Sequence, residues 1–156
     1  MLSAADVAAL AAVALCQCVA AWMGMWAYSL FTLPGTAGHE AAHWLVAVVL
    51  GGRPSFPSLI PQRTRYGWRL GSVEFAAGFV RAVPIALAPL LLAPAGLWWA
   101  GHFLPVSGGG WYAAHAWVAG TLVLASLPSR RDWAVAAPFI LLVIAMCVAV
   151  WWLTRS

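Results

Sequence analysis

Residues 7–33 contain no charged side chain, and that one stretch is longer than the roughly 20 apolar residues needed to cross a bilayer. It is followed by apolar stretches over residues 36–50, 73–100, 111–127 and 133–153. Only 8% of the chain is charged and 64% is hydrophobic, whereas a soluble domain carries about a quarter of its residues as charges. A water-facing exterior cannot be made from this inventory, so the outer surface must face lipid. The expectation is an all-α polytopic membrane protein with about five transmembrane helices, forming a single domain over residues 1–156. The first stretch lacks a basic n-region and outlasts a signal-peptide core, so it reads as a permanent span.

The second and fourth stretches are short for a full crossing, and the third is interrupted by Pro84, Pro89 and Pro94. Short or broken spans persist where other protein or a wet cavity satisfies the backbone, which hints at an interior site. The chain has no lysine, and its net charge of +4 comes from arginine. Arg53, Arg63, Arg65, Arg69, Arg130 and Arg131 lie between apolar stretches, the pattern of positive-inside signals rather than of a nucleic-acid surface. Placing those loops in the cytoplasm gives a cytoplasmic N-terminus and five alternating spans. Many of the 11 tryptophans lie near segment ends, as interfacial anchors do. Cys16, Cys18 and Cys147 are odd in number and lie in apolar stretches, so they read as core or lipid-facing residues without a disulfide. Cys16 and Cys18 also point about 200° apart on a helix and cannot share a metal there.

Residues 51–71 form the one long polar connection. Pro54, Pro57 and Pro61 exclude a helix, and Arg65-Tyr66-Gly67-Trp68-Arg69-Leu70 reads as short strands about a glycine turn.

The chemistry is concentrated in His39-Glu40-Ala41-Ala42-His43. On a helix, residues i and i+4 lie about 40° apart, so both imidazoles project from one face and can grip one ion. Glu40 lies about 100° round from His39, placed to take a proton from an attacking water rather than to bind the metal. Two histidines and a glutamate in an apolar helix are costly unless they have a function. A catalytic zinc takes three protein ligands and keeps one position open, and the remaining candidates are Asp132, Glu74, His102 and His115. Asp132 follows the helix-breaking Pro128, but it also reads as an interfacial acid neutralised by Arg130 or Arg131. His115, one turn into the fourth stretch, is its main rival. His102 lies in an uncharged loop, and Glu74 with Arg81 reads as a polar stripe along one helix.

Pro34-Gly35, the HEAAH sequence, the Leu50-Gly51-Gly52 helix end and the strand-like loop together resemble the site-2 protease-like intramembrane zinc metalloproteases. Ala88-Pro89-Leu90-Leu91-Leu92 and Leu127-Pro128-Ser129-Arg130-Arg131-Asp132 are similar to the small bacterial and archaeal branch, and the resemblance covers roughly residues 30–135. It implies zinc as cofactor, Asp132 as third ligand and Glu40 as general base. It also implies a membrane-spanning protein or peptide as substrate, received along residues 51–71 as an added strand. The setting it implies is a multi-pass protein of a bacterial or archaeal cell membrane. The chain departs from the family in lacking a Leu-Asp-Gly or Asn-Pro-x-x-Asp-Gly signature around Asp132, and it has no PDZ domain.

Five alternating spans raise a problem of depth. Asp132 would lie near the cytoplasmic face, while His39 would begin its helix near the opposite one. For the two to meet, the second helix must start inside the bilayer after Pro34-Gly35, or the turn at residues 128–132 must dip inward. The alternative function is a catalytically inactive relative that acts as a membrane-protein chaperone or regulator. Four histidines are too few for a di-iron oxidase with several histidine boxes, and no paired half-helices support transport.

Overall fold

The computed structural model describes residues 2–64 and 67–155. The described residues are 74% helical. Helix α1 (Ala4–Met23) opens with a capping box between Ser3 and Asp6 and stops at Gly24, whose φ of 117° is open to glycine and rarely to other residues. There follow α2 (Met25–Phe31), α3 (Leu33–Val49), strands β1 (Gln62–Thr64) and β2 (Gly67–Arg69), and α4 (Phe79–Leu87). A 3-10 turn (Ala88–Leu91) leads into α5 (Leu92–Phe103), and the chain ends with α6 (Gly109–Ala125) and α7 (Arg130–Leu153). Three segments are long and apolar enough to cross a membrane: Ala4–Met23, Phe79–Val106 and Arg130–Leu153.

The helices do not alternate in the way five successive spans require. Asp6 meets Tyr112 and Val13 meets Gly120, so α1 and α6 run in the same direction. Phe31 packs on Trp117, Gly35 on Thr121 and His39 on Ala125, so α3 also runs parallel to α6. The break at Gly24 makes this possible. It lets α2 fold back along α1, where Gln17 Nε2 donates to Tyr28 Oη at 3.2 Å. The segment from α4 to α5 runs the other way, with Ile85 beside His43 and Phe103 beside His115. In consequence α3 starts half-way along α6 rather than at the edge of the bundle, and α6 ends beside His39. His39 and Asp132 are thereby brought to the same level of the bundle.

Helix contacts rest on small residues. Ala47, Ala86, Ala100, Ala116, Ala119 and Ala136 are buried, whereas Leu15, Trp22, Trp26, Val49 and most of the large apolar side chains of α7 are exposed. Close approach through small residues is how helices associate where lipid removes the hydrophobic drive. The three cysteines are free and exposed, on the outer surface.

Residues 73–78, expected at the start of a helix, are extended instead. Ser55 N donates to Glu74 O at 2.7 Å, Ala76 N donates to Gly52 O at 2.9 Å, and Ser58 pairs with Ser72. These pairings with the loop take the backbone groups that a helix would need, so helix α4 begins only at Phe79. The expected Glu74–Arg81 stripe is therefore absent. Glu74 lies outside the helix, and Arg81 donates to Leu50 O at 3.3 Å. Short strands form in this loop, but not about Gly67: β1 precedes the expected segment and Gly67 opens β2, in an antiparallel hairpin pairing Gln62 with Arg69 and Thr64 with Gly67. Arg65 and Tyr66, part of the expected strand segment, lie outside the described residues.

Candidate metal centre

His39 and His43 are one turn apart on α3, and each imidazole is held from behind by a carbonyl. His39 Nδ1 lies 2.7 Å from Ala125 O, and His43 Nδ1 lies 2.7 Å from Ile85 O. A carbonyl only accepts, so both Nδ1 atoms carry a hydrogen, and in the neutral rings both Nε2 atoms turn lone pairs inward.

Two prolines help to keep those carbonyls available. In a regular helix Ile85 O would accept from residue 89, but Pro89 has no N–H, and only Ala88 N–H competes with His43. Ala125 O would accept from Ser129, but Ser129 N donates to Asp132 Oδ2 at 2.6 Å, and Pro128 cannot substitute. From sequence these prolines read as helix breakers. Their effect on neighbouring acceptors needs the three-dimensional partner to be visible.

Asp132 reaches the two imidazoles from the first turn of α7. Its Oδ2 lies 3.5 Å from His39 Nε2 and its Oδ1 lies 3.4 Å from His43 Nε2. The capping box with Ser129 fixes the carboxylate, because Ser129 N donates to it while Asp132 N donates to Ser129 Oγ at 3.3 Å. The Nε2 atoms are themselves 3.2 Å apart. A tetrahedron with ligand bonds of about 2.0–2.1 Å has edges of about 3.3 Å; the two nitrogens match one such edge, and the carboxylate approaches each nitrogen through a different oxygen, with one ligand atom from each residue all within 4.8 Å of one another. Two nitrogen lone pairs and a carboxylate converging in this way repel unless a proton or a metal cation lies among them. These three residues could hold a metal ion.

The other candidates lie elsewhere. His115 Nδ1 accepts from Trp99 Nε1 at 3.2 Å, and its ring stacks on Phe103. His102 stacks on Trp98. Glu74 is exposed on the cavity wall, outside the ligand group. Nor is Asp132 an acid neutralised by its neighbours, since among the described residues its ion-pair partners are the two histidines and neither Arg130 nor Arg131.

The ligands face a cavity of about 1170 Å³ walled by α3, α4, α6, the start of α7 and residues 68–75. Glu40 is buried, lines this cavity and has no hydrogen bond within the described residues, which leaves its carboxylate for a water or a ligand. Gly71 lies directly over it. A Cβ on Gly71 would fall 2.6–2.9 Å from Glu40 Cγ, Oε1 and Cδ, so the loop reaches the carboxylate only because residue 71 is glycine. Among the described residues the buried polar side-chain atoms without partners are Gln17 Oε1 and Arg69 Nε, and both residues line this cavity.

No family model, curated protein or solved structure matches the chain.

Proposed function

We propose that the chain is an intramembrane zinc metallopeptidase acting on membrane-spanning protein or peptide substrates. The observation that carries this reading is the convergence of His39 Nε2, His43 Nε2 and the Asp132 carboxylate, one ligand atom from each within 4.8 Å of the others, with an uncommitted glutamate on the same wall. The HEAAH sequence and its similarity to site-2 protease-like enzymes support the choice of peptide hydrolysis over other zinc chemistry.

His39, His43 and Asp132 would hold the ion. Zinc, when bound, supplies a Lewis acid that polarises oxygen and stabilises developing negative charge. Glu40 accepts a proton from the attacking water and returns it to the leaving amine. The carbonyls of Ile85 and Ala125 keep both rings in one tautomer throughout. The cavity is large enough for an opened stretch of peptide, and residues 51–71 offer an edge on which an extended segment can add.

In this reading the protein is a multi-pass protein of a bacterial or archaeal cell membrane. Helices α1, α4 with α5, and α7 cross it, while α2 and α3, joined through Thr32 by helical hydrogen bonds, stop short of a full crossing and start α3 at mid-depth, in place of five complete alternating spans. The arginine-rich loop faces the cytoplasm.

The test is Glu40→Gln in purified protein. Zinc content and thermal stability should match wild type, while cleavage of a membrane-peptide substrate should fall at least about a hundredfold. Equal turnover by the Gln variant would end the peptidase reading. Zinc in wild type without any cleavage would instead favour the inactive relative.

A further inference from the structure

Resting on the peptidase reading, we infer that this cavity selects substrates by a carboxylate near the bond to be cut, with Arg69 as its principal contact. Arg69 lies on β2, two residues before the glycine that covers Glu40, and lines the same cavity as the ligands. One end of its guanidinium is fixed, since NH2 donates to Gln62 Oε1 at 2.9 Å across the hairpin. Its Nε is buried without an acceptor. A buried guanidinium N–H left unpaired is costly, and the acceptor that suits it best is an ionised oxygen.

Two further cations point to the same substrate chemistry. Arg130 and Arg131 line the cavity and are exposed, with no ion pair to any described residue. They lie in the first turn of α7, where a positive charge opposes the helix dipole and so brings no local stability. With a divalent ion held by the ligands, the charged groups of the wall leave the cavity net positive, and a cavity of one sign attracts the opposite charge. Anionic lipid headgroups share the chemistry of a carboxylate. A headgroup at the exposed mouth would meet Arg130 and Arg131, whereas the unpaired Nε is buried on the wall beside Glu40. A peptide occupying the cavity would bring its carboxylate to the wall that Arg69 lines, so the peptide is the favoured source.

The experiment uses zinc-loaded Glu40→Gln protein in detergent micelles and fluorescein-labelled 22-residue Leu/Ala peptides with a central Ser-Gly-Ser, a length that spans a bilayer (about 20 residues). Three series carry Glu, Gln or Lys at successive positions flanking the centre. At one position the Glu peptide should bind at least about tenfold more tightly than its Gln counterpart, as a hydrogen bond to a charged group allows, and the Lys peptide more weakly still. Arg69→Gln should remove that advantage with zinc content unchanged. Arg69→Lys, which keeps charge without Nε, should retain only part of it, and Arg130→Gln/Arg131→Gln should reduce its salt dependence. Circular dichroism and melting of each variant separate loss of contact from loss of fold. Equal binding of all three peptides would overturn this inference alone, and binding of none would overturn it together with the peptidase reading. Arg69-dependent binding of phosphatidylglycerol nanodiscs without any Glu preference would overturn it in favour of lipid.

Discussion

Gly35→Ala is expected to loosen the metal centre from a distance. A Cβ at residue 35 would fall 2.3 Å from Thr121 O, 2.8 Å from Thr121 C and 3.0 Å from the Ala125 Cβ. To reach ordinary contact, α3 must retreat from α6 by about 1 Å. His39 is one turn further along α3 and is oriented by Ala125 O at 2.7 Å. The same retreat stretches that bond beyond useful length and opens the 3.2–3.5 Å spacing of the donor atoms. Overpacking of this kind costs about 1–3 kcal/mol of stability, and losing the partner that orients a ligating histidine costs about 10–100-fold in metal affinity. Zinc competition against a chromogenic chelator, with a melting curve on the same sample, measures both. An affinity within about threefold of wild type, well short of the loss expected on removing such a partner, would refute the claim that contact between α3 and α6 sets the geometry of the site.

Other outcomes follow from the same coordinates. Asp132→Ala should abolish stoichiometric zinc binding and remove the α7 cap, at a cost of about 1 kcal/mol, whereas His115→Ala should bind zinc as wild type does; metal analysis of the pair decides between the two ligand assignments. Gly71→Ala should keep zinc and lose cleavage, because the loop is displaced from Glu40; retained turnover would show that this cover is dispensable. A cysteine at Ser55 in a cysteine-free background should be labelled from the cytoplasmic side and not from outside the cell.

The residues that could hold a metal ion were nameable from sequence because their chemistry is scarce here. An apolar chain with four acids and four histidines leaves few residues able to hold a cation, and helical spacing places His39 and His43 together. Asp132 needed a family resemblance as well, since spacing alone could not separate it from His115. The course of the chain was far less legible. The reversal after Gly24 depends on one backbone angle, and five apolar stretches look alike whether they cross or turn back. Residues 73–78 were read as helix because they are apolar, yet hydrogen bonds to residues 52–58 across the loop decided otherwise. The carbonyls of Ile85 and Ala125 left no trace in the sequence, since every residue has one and only the fold says which is free.

Asp132 also sets the order in which the centre can be assembled during synthesis. The two imidazoles leave the ribosome before their third companion, which arrives on α7, most of whose surface the other described residues leave uncovered. A nascent or truncated chain that stops before Asp132 carries the HEAAH helix but only two of the three ligands. On the proposed reading, activity would wait until α7 has joined the bundle, and a nascent chain short of it could not cut the membrane proteins around it.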